Sequence, residues 1–406
     1  GEFQMTLAQL PGGVWQLTLA YACMMTGLPV TVLIAGIIGV RFAPSPGLAT
    51  LPIALVIVGV ALSTLPLGRL QSLYGRRRVF LVYGVLAMLA VVGAALSIML
   101  KSFSAYCASA LLTGWSAAAG HQYRFAALEL VAPESAATAT SVLLLGGILA
   151  AFLGPELAVI GKDLMAVEFA GSYLLLLIGY GVGWLLLSRI ELPGAPSMTA
   201  RRDAGRRYRE LLSNRLLLLA VVAAGVGYAV MSLLMTATPI GMHEHAGHSL
   251  EATKWVIQSH IIAMYLPSIF FPFILRLLGF RGALWCGLLI YLLCISVAFA
   301  DTSVPAYWAS MVLLGLGWNL LYLSGTNILP MTYEPNERFR AQSMNDFIVF
   351  TCQAVASLGS GGLLFLLGWS GILVAGALLV AAFLVLLVWL QAGLPARRAP
   401  TMARGY

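Results

Sequence analysis

Gly68-Arg-Leu-Gln-Ser-Leu-Tyr-Gly75-Arg-Arg-Arg78 decides how the chain is read, because this short, basic, glycine-punctuated link joins two long apolar runs. A related link, Pro272-Phe-Ile-Leu-Arg-Leu-Leu-Gly279-Phe-Arg281, follows 204 residues later when Gly75 is set on Gly279. Two further pairs keep nearly the same offset. Gly114-Trp115 recurs as Gly317-Trp318, and Tyr21-Ala-Cys-Met24 as Tyr228-Ala-Val-Met231, the latter pair followed by Pro29 and Pro239. A sequence that repeats at half its length describes two similar bodies in tandem.

What those bodies are made of follows from composition. The 406 residues are 60% hydrophobic and 9% charged, with a mean hydropathy of +0.93, more apolar surface than a soluble core can absorb. Runs near the length that crosses a bilayer recur at 14–40, 47–69, 79–100, 103–131, 137–160, 166–189, 216–240, 254–275, 282–300, 305–332, 342–367 and 369–392. They are continuously apolar, so helices are expected rather than alternating barrel strands. The expectation is an all-α membrane protein of twelve transmembrane helices in two six-helix halves, 1–190 and 216–406, joined by a basic linker at 191–215. No cleavable signal peptide is read, and Gly1–Gln4 ahead of Met5 read as an expression remnant.

Arginine placement sets orientation, since Lys and Arg flanking spans stay on the cytoplasmic side. With both termini inside, eighteen of the 23 Lys and Arg fall inside and only Arg41, Lys101, Lys162 and Lys254 outside. The net charge of +8 is then a topology signal with no nucleic-acid partner implied. The five cysteines lie within apolar runs without CxxC pairing, so no disulfide framework is expected. No phosphate loop, nucleophile elbow or HExxH zinc spacing is present, and the chain reads as neither enzyme nor ATP-driven pump.

Twelve spans, a basic central linker and the Gly68, Gly75, Arg76, Arg77 loop resemble the major facilitator superfamily over the whole chain. That resemblance implies a central cavity lined by spans one, four, seven and ten, with alternating access to either side. The superfamily places an Asp where this chain has Ser72, which removes one charge from the loop's usual latch.

Ionisable groups inside spans are costly and mark function or a structural polar network. Here they are His121, Arg124, Glu129 and Asp346, candidates for proton coupling, a substrate contact or helix registration. A sharper pattern lies in spans seven and eight. Met231 and Met235 are four apart, as are His260 and Met264, so each pair shares a helix face. Counting about 1.5 Å per residue puts Met235 level with His260 and Met231 level with Met264. Thioether and neutral imidazole donors suit Cu(I) and discriminate against hard, hydrated ions, although methionine is also common core filler. Met24 and Met25 on span one are possible further ligands, and Met242, His243, His245 and His248 form a possible collecting group in the loop outside.

Met231-Ser-Leu-Leu-Met235 and His260-Ile-Ile-Ala-Met264 resemble the paired motifs of the CcoA-type copper importers of that superfamily. This resemblance implies copper as transported substrate with no resident cofactor, import across the bacterial cytoplasmic (inner) membrane, a downstream copper chaperone, and supply of cbb3-type cytochrome oxidase assembly. The competing expectation is a drug or organic-ion exporter of the same superfamily, in which the methionines are filler.

Overall fold

The computed structural model describes residues 10–123, 126–127, 130–131, 136–192, 205–334 and 337–394. Among them there is no strand, and the helices run in the order α1 (Gly12–Met25), α2 (Gly27–Phe42), α3 (Leu51–Tyr74), α4 (Arg76–Met99), α5 (Phe103–His121), α6 (Ala136–Gly161), α7 (Ala170–Ser188), α8 (Tyr208–Leu212), α9 (Arg215–Pro239), α10 (Leu250–Tyr265), α11 (Phe271–Ala300), α12 (Val304–Ile328) and α13 (Arg338–Leu390). Several start where the sequence supplies a cap. The side chains of Ser102, Asn214, Ser249 and Ser303 accept hydrogen bonds from the first free backbone N–H groups of α5, α9, α10 and α12.

Eight segments of the described residues are long and apolar enough to cross a membrane. Gly12–Phe42, Pro46–Gln71, Arg76–Met99, Ala170–Ser188, Arg215–His245, Leu277–Ala300 and Val304–Ile328 fall on seven expected spans, whereas Met344–Gly393 contains two, separated by non-helical Gly368. The expected spans 103–131, 137–160 and 254–275 are not among the eight. Of these, 137–160 counts among the described residues as the shorter apolar helix Leu145–Gly161, α5 is rich in Ser, Thr and Gly, and α10 carries Glu251, Lys254, Gln258 and His260 and stops at Tyr265. Large apolar side chains such as Leu378 (67% exposed) and Val385 (69% exposed) face outward, while Ser63, Thr236, Ser310 and Asn319 are buried. This inside-out polarity suits lipid as the outer solvent.

Before the linker, α1 packs on α6 and α7, and α5 packs on α3 and α4; after it, α9 packs on α12 and α13, and α10 and α11 on α12. Gly114 is what lets α5 lie on α3, since a Cβ there would overlap the Val56 carbonyl. Contacts between the two stretches of chain run through α3 with α13, α6 with α10, and α2 with α9 and α10. Residues 193–204 of the linker lie outside the described residues, but its end is fastened. Arg206 donates to both carboxylate oxygens of Glu337, Nε to Oε1 at 2.7 Å and Nη2 to Oε2 at 2.6 Å, and to the Thr332 carbonyl. The loop holding the basic motif is fastened too. Gly75 takes φ +81° between α3 and α4, Arg76 donates to Gln71 at 2.7 Å, and Arg77 reaches the Ser188 carbonyl at the end of α7. Gly68 faces open space.

At the opposite end, α6 and α10 are clamped by charge. Lys254, its side chain 8% exposed, lies 2.8 Å from Glu156 on α6 and 2.6 Å from Glu251 on its own helix. Gln258 adds hydrogen bonds to the Phe152 carbonyl at 2.8 Å and to Glu156 at 3.2 Å. Removing Lys254 leaves Glu156, its side chain 30% exposed, without its cation, a loss of about 1 kcal/mol that replacing both sides by apolar groups should recover. Thermal unfolding in detergent is therefore expected to show Lys254→Met clearly destabilised and Lys254→Met/Glu156→Leu largely restored; equal loss in both would contradict the clamp.

Glu337 gives a second expectation. The Arg206 guanidinium, helped by the Glu334 N–H, holds its carboxyl at about 2, below the ordinary 4.5. A depressed carboxyl pKa stabilises fully above the unfolded value and loses that contribution as pH falls through the folded one. The gap in thermal midpoint between the parent chain and Glu337→Gln should be open at neutral pH and close between about pH 4.5 and pH 2. A gap that stays constant over that window would rule the tether out.

Candidate functional site

Met231 and Met235 are four residues apart on α9, so both sulfur-bearing chains project from one face, and that face looks into a cavity among α1, α2, α3, α5, α6, α9, α10 and α13. The cavity encloses about 890 Å³ of empty space, including its open mouth. Met264 of α10 lines it as well, as does Met25 of α1. Tyr21, Tyr228, Tyr265 and Phe350 supply aromatic wall, and no Asp, Glu, Lys or Arg lines it among the described residues. Gln353 and His121 are its polar groups besides tyrosine and threonine hydroxyls. Span ten contributes no lining residue, contrary to what the superfamily resemblance implies; its Trp318 and Tyr322 stack on each other with ring centroids 4.8 Å apart, and Tyr228 sets its edge against both.

His260 departs from the expected arrangement. It is fully buried but is not part of the cavity wall; its Nδ1 meets the Met311 carbonyl of α12 at 2.8 Å. A carbonyl only accepts, so Nδ1 carries the proton and Nε2 presents a bare lone pair. That Nε2 is buried with no hydrogen-bond partner. The α10 face toward the cavity is Ile261, Met264 and Tyr265, and His260 sits about 100° around the helix from Ile261, behind the methionine wall.

The other candidates separate as clearly. Met24 packs against α7, where a Cβ on Gly183 would lie 2.9 Å from its sulfur, and is not part of the cavity lining. Met242 is completely buried within the π-helical turn Ile240–His245, which takes it away from the loop surface. His243 Nδ1 bonds to the His248 carbonyl at 3.0 Å and His248 Nε2 to the Thr302 carbonyl at 2.8 Å, so both serve the loop's own folding. No group of three or more His, Cys, Asp or Glu placed to hold a metal exists among the described residues, and the expected collecting group of His243, His245 and His248 is not assembled.

Arg124 and Glu129 lie outside the described residues. His121 and Asp346 come together around a second, smaller pocket with Gln122 and Thr64. His121 and Phe350, ring centroids 5.6 Å apart, border both this pocket and the large cavity.

With the geometry in place, known proteins give the chain its lineage. The model of the Major Facilitator Superfamily matches residues 17–253. A riboflavin transporter, RfnT of Brucella anthropi, is 33% identical over 361 residues, covering 88% of this chain and 90% of that one. An uncharacterized transporter of the same superfamily, YdeG of Bacillus subtilis, is 29% identical over 376 residues, covering 88% and 85%. Among solved structures, the human organic anion transporter MFSD10 superposes with a TM-score of 0.66 at 14% identity over 92% of this chain and 98% of that one. The nucleoside transporter NupG superposes with 0.66 at 13% identity over 95% and 100%. The solved structures share the fold, and the family model and the sequence relatives carry the descent: the chain belongs to the major facilitator superfamily, as a multi-pass secondary transporter.

Proposed function

We propose that this transporter imports copper by alternating access, taking the metal into the cavity beside Met231, Met235 and Met264 and releasing it to the cytoplasm for cbb3-type cytochrome oxidase assembly through a copper chaperone. In this reading twelve spans form two six-helix halves, 1–190 and 216–406, about the linker 191–215, in the bacterial cytoplasmic membrane with both termini inside. The observation that carries it is three thioethers from two helices in the lining of one cavity that holds no charged group among the described residues. Neutral soft donors hold a soft monovalent ion without the electrostatic trap that carboxylates or thiolates would set, and they give hard cations nothing to replace their water. The bare, buried Nε2 of His260 supports the reading, because an unsatisfied acceptor is costly unless something comes to it, and imidazole nitrogen suits copper.

A second reading has its own observations. A cavity walled by Tyr21, Tyr228, Tyr265 and Phe350 has the aromatic, apolar character of an organic-ligand site, and the Brucella anthropi relative is a riboflavin transporter. Here a planar organic solute, or the drug or organic ion of an exporter, stacks in the cavity and the methionines only pack.

Radiocopper uptake into cells separates the two. For Met231→Leu, Met235→Leu, Met264→Leu and His260→Leu, uptake at limiting copper should fall about tenfold or more, since even supporting groups of a metal site are worth about that much. Excess riboflavin should leave uptake unchanged. Copper uptake indifferent to all four substitutions, with riboflavin carried instead, would establish the second reading.

A further inference from the structure

Met25 lines the same cavity as Met231, Met235 and Met264, is 4% exposed, and comes from the other side of the linker. Its setting repeats that of Met235. Met25-Thr-Gly-Leu-Pro29 on α1 and α2 and Met235-Thr-Ala-Thr-Pro239 on α9 share the pattern Met-Thr-x-x-Pro. In each, the proline stands four residues after the methionine and has no N–H to offer the methionine carbonyl, so the helix is loosened at the sulfur-bearing residue. On the first helix α1 closes at Met25 and α2 opens at Gly27, with Thr26 between them still in helical backbone (φ −63°, ψ −24°) and its hydroxyl turned back to the Cys23 carbonyl. The Met25 sulfur is seated against α5 where Gly120 leaves room, since a Cβ there would lie 2.6 Å from it.

We infer that Met25 is the fourth thioether of the cargo site, so that a bound soft cation is held by sulfur from both sides of the linker at once. The inference rests on the copper reading above and adds a consequence to it. A ligand set divided between α1 and the α9–α10 pair is complete only when the two stretches of chain close around the ion, which couples capture of cargo to their relative movement. Met24, its immediate neighbour, supplies a built-in control, because its sulfur lies against Gly183 and away from the cavity.

The experiment is Cu(I) affinity of the full detergent-solubilised chain, measured by competition with a chromophoric Cu(I) chelator. It compares the parent with Met25→Leu, Met24→Leu and Met235→Leu, swaps that conserve volume and so leave the packing nearly intact. Met25→Leu should weaken binding about tenfold or more, alongside Met235→Leu, while Met24→Leu binds as the parent does. Met25→Leu binding as tightly as the parent while Met235→Leu is weakened would overturn the inference and leave the copper reading standing. A parent chain that binds no Cu(I), or binds it equally well without Met235, would overturn both.

Discussion

Hydrocarbon offers neither hydrogen bonds nor counter-charges, so a chain dissolved in it must satisfy its backbone within helices and can present polar or polarisable groups only toward an internal space. The rest of this structure follows from that constraint. Leucine, valine and phenylalanine cover the outside of the bundle; hydroxyls, amides and thioethers are turned inward; and the few ionised side chains gather at helix ends, where Arg206 meets Glu337 and Lys254 meets Glu156. What remains in the middle is a cavity whose chemistry is set by a short roster of uncharged donors.

Those donors are unequal in kind. The hydroxyls of the lining tyrosines serve an organic solute as well as a water molecule, but sulfur in thioether form prefers soft cations and binds them without fixing them. Four methionines lining one cavity, with a buried imidazole nitrogen on the helix that carries Met264, is therefore a chemically directed arrangement, whereas the aromatic surfaces around it are permissive. The charge clamp joins α6 and α10, two of the helices that line the cavity, and His121 and Phe350 border both the cavity and the polar pocket that holds Asp346.

Much of this was legible in the residues, for reasons that also explain the misses. Four-residue spacing fixes two side chains on one face of their own helix, which is why Met231 and Met235 fall together; counting depth from the helix ends set His260 and Met264 level with them, and of those two Met264 lines the cavity. Spacing does not say which neighbour a face meets. The rotation of α10 that puts Ile261, Met264 and Tyr265 on the cavity sends His260 to the Met311 carbonyl instead. Met24 and Met25 are adjacent and chemically identical, so only their packing, Met25 on Gly120 and Met24 on Gly183, tells them apart. The repeat between Met25-Thr-Gly-Leu-Pro29 and Met235-Thr-Ala-Thr-Pro239 was present in the sequence but ran out of step with the Tyr-Ala-x-Met pairing by three residues. The loop histidines misled because three imidazoles in six residues resemble a metal site until their nitrogens are seen to serve backbone carbonyls.

X-ray absorption at the copper edge, on the full chain loaded with Cu(I), tests the central claim most directly, since it reads the atoms around the metal and not the consequences of losing them. A coordination shell dominated by sulfur, and depleted in Met231→Leu, is the expected result. A shell of nitrogen and oxygen alone, or one unchanged by that substitution, would contradict it and leave the cavity to an organic solute.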